Sequence, residues 1–189
     1  MAGLAGLLAE DTIVLKGLKD SLKTLADHQH EMGMIPSNVQ PETGSVSYGS
    51  LTGRIDASTW FIIGSVLYYL ESGDRSFYED LTPAIQKALT FLKCCEFNAC
   101  GWLYTPLSGN WADEYPVHGF TLYDNCLYVW AKKLLLKAER QETGALKEDL
   151  DRLSGNFWPG QPNGAIYHKA GYEQALAMEP HHYLSLIHI

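Results

Sequence analysis

The chain has 189 residues, of which 46% are hydrophobic and 19% charged, the ordinary composition of a globular domain able to bury one core. Its net charge of -8 argues against a general affinity for nucleic acid or anionic membranes, and is compatible with a neutral sugar ligand.

The opening residues, MAGLAGLLAEDTIVLK, are mildly apolar but carry no basic leader and reach Glu10 early, so no signal peptide is expected. Over 11–31, Val14, Leu15, Leu18, Leu22, Leu25, Ala26 and Gln29 form one stripe against a wet face of Lys16, Lys19, Asp20 and Lys23, which predicts an outer amphipathic helix. Residues 33–53, GMIPSNVQPETGSVSYGSLTG, form a long loop of a kind that is uncommon in compact domains unless functional or disordered. Because this loop delivers the chain to Asp56, the functional reading is favoured. Tyr48 and Arg54 are then expected to flank that acid, with simple packing the plainer role for Tyr48.

The next stretch, GRIDASTWFIIGSVLYYLESGD, predicts a helix over 57–72. Trp60, Ile63, Gly64, Leu67 and Tyr68 recur at helical spacing, Phe61, Ile62, Val66 and Tyr69 fill the other faces, and Gly73 supplies a C-cap. A helix apolar nearly all round, but too short in its apolar run to span a bilayer, belongs inside a core. Asp56 stands at its N-terminal mouth, where the helix dipole favours an ionised carboxylate and the plain role is an N-cap.

An amphipathic helix over 77–97 follows, with Phe77, Leu81, Ala84, Ile85, Ala88, Leu92 and Cys95 opposite Gln86, Lys87 and Lys93. Outer, buried and outer helices in succession suggest concentric helical layers, without the fixed-period consensus of a tetratricopeptide or ankyrin array. Residues 100–118, CGWLYTPLSGNWADEYPVH, lack helical period and predict turns with a short strand pair around 102–104. Here Trp102, Tyr104, Trp111 and Tyr115 sit among Asp113 and Glu114. That mixture suits a sugar, whose C–H faces stack on aromatic rings while carboxylates accept from hydroxyls; a loop folded on its own aromatic residues is the alternative. A buried helix over 119–137 is apolar except for Asp124, Asn125 and its trailing lysines, and shorter helices are expected over 145–153 and from 172 to 178.

RIDASTWF and LESGD resemble the Val-Asp-Ala-Ser-Leu-Trp-Phe signature and Thr-Gly-Asp helix end of the six-hairpin glycosidases, among them the glycogen-debranching amylo-alpha-1,6-glucosidases and the alkaline/neutral invertases. Weaker similarity extends from about residue 33 to 130, including a Trp-Ala-Asp loop before an inner helix that carries Asn125. The resemblance implies an all-α fold, a partial (α/α)6 toroid of about half the barrel with irregular loops at the active-site end. It implies that Asp56 is the catalytic general acid of a glycoside hydrolase acting on an α-glucan or small glucoside with inversion. Tyr48, Arg54, Trp60, Trp111, Asp113 and Glu114 are the substrate-binding candidates around it. Where the debranching enzymes carry Glu two residues before the Asn, this chain has Tyr123, which leaves sugar and linkage open.

Inverting hydrolysis needs a second carboxylate, and in these families it is a Glu late in the toroid, beyond the six or seven helices that fit here. The closing LSLIHI resembles a translated sequencing adapter. The expectation is therefore a partial catalytic domain over 1–183, an artefactual tail over 184–189, and a fragment that is inactive and prone to associate on its own.

The sequence implies no cofactor and no metal. Cys94, Cys95, Cys100 and Cys126 lack paired zinc spacing and read as reduced core thiols of a cytoplasmic protein, and His168, His181 and His182 lack the helical spacing of a metal motif. A Gly-x-Ser-x-Gly elbow, a Walker loop and a dinucleotide fingerprint are also absent from the sequence. The expected partner is a carbohydrate substrate, with no nucleic acid and no membrane. The rival class is a non-catalytic helical scaffold or carbohydrate-binding module.

Overall fold

A computed structural model describes residues 6–7, 11–49, 51–114, 117–141, 144 and 146–157, and these are mostly helical. Five helices follow one another: α1 Thr12–Asp27, α2 Ile55–Ser72, α3 Arg75–Cys94, α4 Leu122–Ala138 and α5 Leu146–Phe157. A two-stranded antiparallel pair, β1 Asn38–Val39 and β2 Val46–Ser47, interrupts the long loop before α2. The helix expected from 172, the three histidines beyond 160 and the closing hexapeptide lie outside the described residues.

Burial separates the helices into the two kinds that their patterns predict. In α2, Phe61, Ile62, Ile63 and Val66 are almost wholly buried on every face, while in α3 only the stripe of Phe77, Leu81, Ile85, Ala88 and Leu92 is covered. Each such side chain contributes about 1.5–3 kcal/mol by leaving water, so the core is centred on α2. Two aromatic contacts close the α2–α3 hairpin: Tyr68 meets Phe77 edge-on at 5.2 Å and Tyr69 stacks on Tyr78 at 4.5 Å. Gly73 makes the turn possible, because its φ of 71° lies in the left-handed region and its N–H closes on the Tyr69 carbonyl.

The second inner helix is α4, which buries Leu127, Tyr128, Ala131, Leu134 and Leu135 against the same core. Contacts between α2 and α4 advance together along both chains. Asp56 and Trp60 meet Tyr123, and Trp60 meets Trp130 edge-on at 6.0 Å, so the two run parallel with both N-termini at one end. The fifth helix packs Leu153 and Phe157 on Val129 and Trp102, and Arg152 lies over the Trp102 ring at 4.7 Å.

Two expectations need correction. Around 102–104 there is no strand pair; the extended chain forms one bridge, Thr105 to Gly119, and the small sheet lies in the 33–53 loop instead. The thiols are also not uniformly core groups, since Cys94 is exposed and the other three are half-buried, all unpaired. Among the described residues, no helix is long and apolar enough to cross a membrane.

Asn125 is the chief tie between α4 and the irregular loop before it. Its Oδ1 accepts from the Leu103 N–H at 2.8 Å, and its Nδ2 donates to the carbonyls of Leu103 and Thr121 at 3.1 and 2.8 Å. Both Asn125 and Leu103 are fully buried, so removing the amide strands backbone groups away from water. Asn125→Ala is expected to lower stability by about 3 kcal/mol in urea unfolding. A loss below about 1 kcal/mol would show that the loop is held by other means.

Candidate functional site

The first three helices each have an Asp at their start, and they use it differently. Asp11 accepts from the N–H groups of Ile13 and Val14, and Asp74 accepts from Phe77, the ordinary duty of a cap. Asp56 does neither. It lies one residue inside α2, where the cap position is Arg54 with no side-chain capping bond, and its Oδ2 accepts from the backbone N–H of Trp111 at 2.9 Å and from the Tyr123 hydroxyl at 3.3 Å. The plain N-cap role is thus corrected: this carboxyl reaches across 55 residues rather than back to its own helix.

The loop that receives it also closes the N-terminus of α2. Gly109 gives its carbonyl to the Ile55 N–H at 2.9 Å, and Thr52 donates its hydroxyl to the Leu107 carbonyl at 3.2 Å. Gly53, which brings the chain to this point, has φ 74°, where a side chain would be strained, and a Cβ there would stand 2.6 Å from the Met34 sulfur and force it to move.

A second carboxyl sits nearby at the start of α4. Asp124 is fully buried, and its Oδ2 accepts from Thr105 Oγ1 at 2.6 Å, Thr121 Oγ1 at 2.6 Å and Asn110 Nδ2 at 2.8 Å, while Oδ1 has no partner among the described residues. Burial raises the Asp124 pKa against the lowering pull of these three donors. Asp56 is pushed up to about 6, first by desolvation and then by the repulsion of Asp124, with the Trp111 N–H, Arg54 and Tyr123 opposing. A carboxyl with that value is half protonated near pH 6 and keeps a protonated fraction of about a tenth at pH 7, from which it can donate a proton.

A cleft of about 320 Å³ opens between α1 and α2 beside this acid. Leu18, Leu22 and Leu25 form one wall, Trp60 and Phe61 the other, and Arg54 and Asp56 are its charged lining groups. The volume lies at the lower end of small-ligand sites.

The remaining candidates fall at different distances from the acid. Trp111 is adjacent through its backbone, and its half-exposed ring meets Tyr123 edge-on at 6.1 Å. Arg54 pairs with Asp113 through Nη2, and through Nε at 3.2 Å, which ties the Trp-Ala-Asp loop to the chain just before α2. Trp60 lines the cleft and donates its indole N–H to the Tyr123 hydroxyl at 2.9 Å. Glu114 is exposed, with no contact to Asp56. Tyr48, expected to flank the acid, instead takes the plainer packing role: it donates its hydroxyl to the His28 carbonyl at 3.1 Å and meets His30 edge-on. The β1–β2 pair folds the loop back on itself and carries Tyr48 to the end of α1.

Sequence reasoning missed Tyr123 as a partner of Asp56, and missed Thr105, Asn110 and Thr121 around Asp124. The Thr-x-x-Asp spacing at 121–124 was a readable signal, since Thr121 is the N-cap of α4 and accepts from the Asp124 N–H. Nothing in the spacing announced the other three. Among the described residues, no cluster of three His, Cys, Asp or Glu side chains is placed to hold a metal ion. No protein-family model and no curated protein matches this chain.

The raised pKa of Asp56 has a definite sign in stability. Between its ordinary value and about 6 the folded chain holds a proton that the unfolded chain has released, so stability falls as pH rises through that window. A gap of roughly two pH units corresponds to about 3 kcal/mol, fully lost above pH 6. Asp56→Asn keeps an acceptor for Trp111 but cannot ionise, so its stability relative to wild type is expected to rise by roughly 3 kcal/mol between pH 4 and pH 7. A difference that stays constant with pH would return Asp56 to an ordinary structural role.

Proposed function

We propose that this chain carries the general acid of a glycoside hydrolase, acting on an α-glucan or small glucoside with inversion, and that its helices are part of an (α/α)6 toroid. The single observation that carries the reading is Asp56 itself, a carboxyl at about 6 beside a cleft, held by the loop of Trp111. Parallel inner helices flanked by striped ones support the toroid.

In the mechanism, the protonated Asp56 gives its proton to the glycosidic oxygen as the bond to the anomeric carbon breaks, which spares the leaving group a full negative charge. Apolar walls at Leu18, Leu22 and Phe61 suit the C–H faces of a sugar, and Trp60 in the cleft and the half-exposed Trp111 beside the acid offer aromatic rings. Arg54 and Asp113 hold each other and fix the loop, which limits their part to positioning.

Water must be activated by another carboxylate, roughly 6.5–9.5 Å from the acid in an inverting site. Asp124 is unsuited, being fully buried with three donors on one oxygen. The base is therefore assigned to residues other than those described. A non-catalytic scaffold has no use for a buried acid that costs stability at neutral pH, which is why hydrolysis is preferred.

In the protein that turns over substrate, Asp56→Asn is expected to lower turnover of maltooligosaccharides or sucrose by about 10²- to 10⁴-fold while calorimetry still detects sugar binding. Unchanged turnover would overturn the assignment of the acid.

A further inference from the structure

Three groups meet at Asp56, and two of them can only donate. The Trp60 indole N–H can donate and cannot accept, so its 2.9 Å contact makes the Tyr123 oxygen the acceptor there. That contact leaves the Tyr123 hydroxyl hydrogen free, and it donates to Asp56 Oδ2 at 3.3 Å. The Trp111 amide, also a pure donor, occupies the same oxygen at 2.9 Å. An oxygen receiving two donors has no room for a proton of its own. Oδ1 takes no hydrogen bond among the described residues and is not sealed from solvent, and Asp56 lines the cleft.

We propose that Tyr123, oriented by Trp60, is a positioning residue that confines the proton of Asp56 to Oδ1, the oxygen open to the cleft. This deepens the reading of Asp56 as a general acid and rests on it for its purpose, although the wiring itself can be tested without catalysis. Burial holds the Tyr123 phenol well above its ordinary pKa, so it remains a donor throughout the working range.

The charged and titratable groups facing Asp56 come from three directions. Arg54 precedes it on its own segment and is paired with Asp113 of the loop, Tyr123 and Asp124 face it from α4, and the α1 wall of the cleft contributes only Leu18, Ser21, Leu22 and Leu25. Asp124 acts on Asp56 through charge alone, raising it, whereas Tyr123 acts through a directed bond to the ionised form, lowering it. The two influences therefore move the titration in opposite senses and can be told apart.

The test is the titration of the Asp56 carboxyl carbon by NMR in the full chain, identified by its loss in D56N. Tyr123→Phe removes the donor to Oδ2 and should raise the midpoint by roughly half to one pH unit, with circular dichroism unchanged. Trp60→Phe should raise it by less, because Tyr123 keeps its hydroxyl but loses its orientation, and should add nothing in a chain already carrying Y123F. Equal shifts from W60F with and without Tyr123, or a Y123F midpoint that stays or falls, would overturn the proposal. Should Y123F unfold the chain, an upward shift in W60F alone supports the relay and an unmoved midpoint overturns it. Coupled shifts together with a D56N that leaves glycoside turnover unchanged in the protein that turns over substrate would overturn the hydrolase reading and support the relay.

Discussion

The structure depends on an irregular loop being drawn onto the N-termini of two parallel buried helices. The buried attachments that do this include Gly109 to Ile55, Trp111 to Asp56, Leu103 to Asn125, and Thr105 with Asn110 to Asp124. Each satisfies a polar group that burial would otherwise leave costly, and each side of the bargain is useless alone. Without the loop, Asp124 would be a buried charge with one donor from Thr121; without the helices, the loop has no regular structure to hold it. Folding of the site and folding of the core are in this sense a single event.

That arrangement places two carboxyls in one poorly solvated region and gives them unequal company. Asp124 has three side-chain donors on one oxygen, whereas Asp56 has a backbone amide and a long bond from a phenol. Burial raises both carboxyls, and charge on Asp124 makes ionisation of Asp56 harder still. Asp56 is left with a raised pKa beside an open cleft. The unpartnered Oδ1 of Asp124 is part of what this state costs.

Much of the helical layering was legible in the sequence, because a helix apolar on every face can only be inside and one with a stripe can only be outside. The 57–72 and 119–137 segments declared themselves that way, and Gly73 fixed an end. Their starts shifted by two or three residues, since capping geometry depends on neighbours such as the Gly109 carbonyl that the local pattern does not contain. At the site, Asp56 and Trp111 were visible as motif residues, but their contact joins positions 55 apart. Tyr48 was misplaced by the same logic in reverse: closeness in sequence suggested closeness in space, and the hairpin in the loop undid it. Tyr123 registered only as a departure from a family pattern, when its hydroxyl is the link between Trp60 and the acid.

The central claim is that Asp56 protonates a leaving group, and the leaving group itself offers the sharpest probe. Fluoride departs from an anomeric carbon with little need of a proton, whereas a sugar alkoxide does not depart without one. Turnover of α-glucosyl fluoride and of a maltooligosaccharide should be compared in wild type and D56N within the protein that turns over substrate. The account predicts that D56N loses the oligosaccharide and retains most of the fluoride. Equal losses on both substrates, or no loss on either, would contradict it.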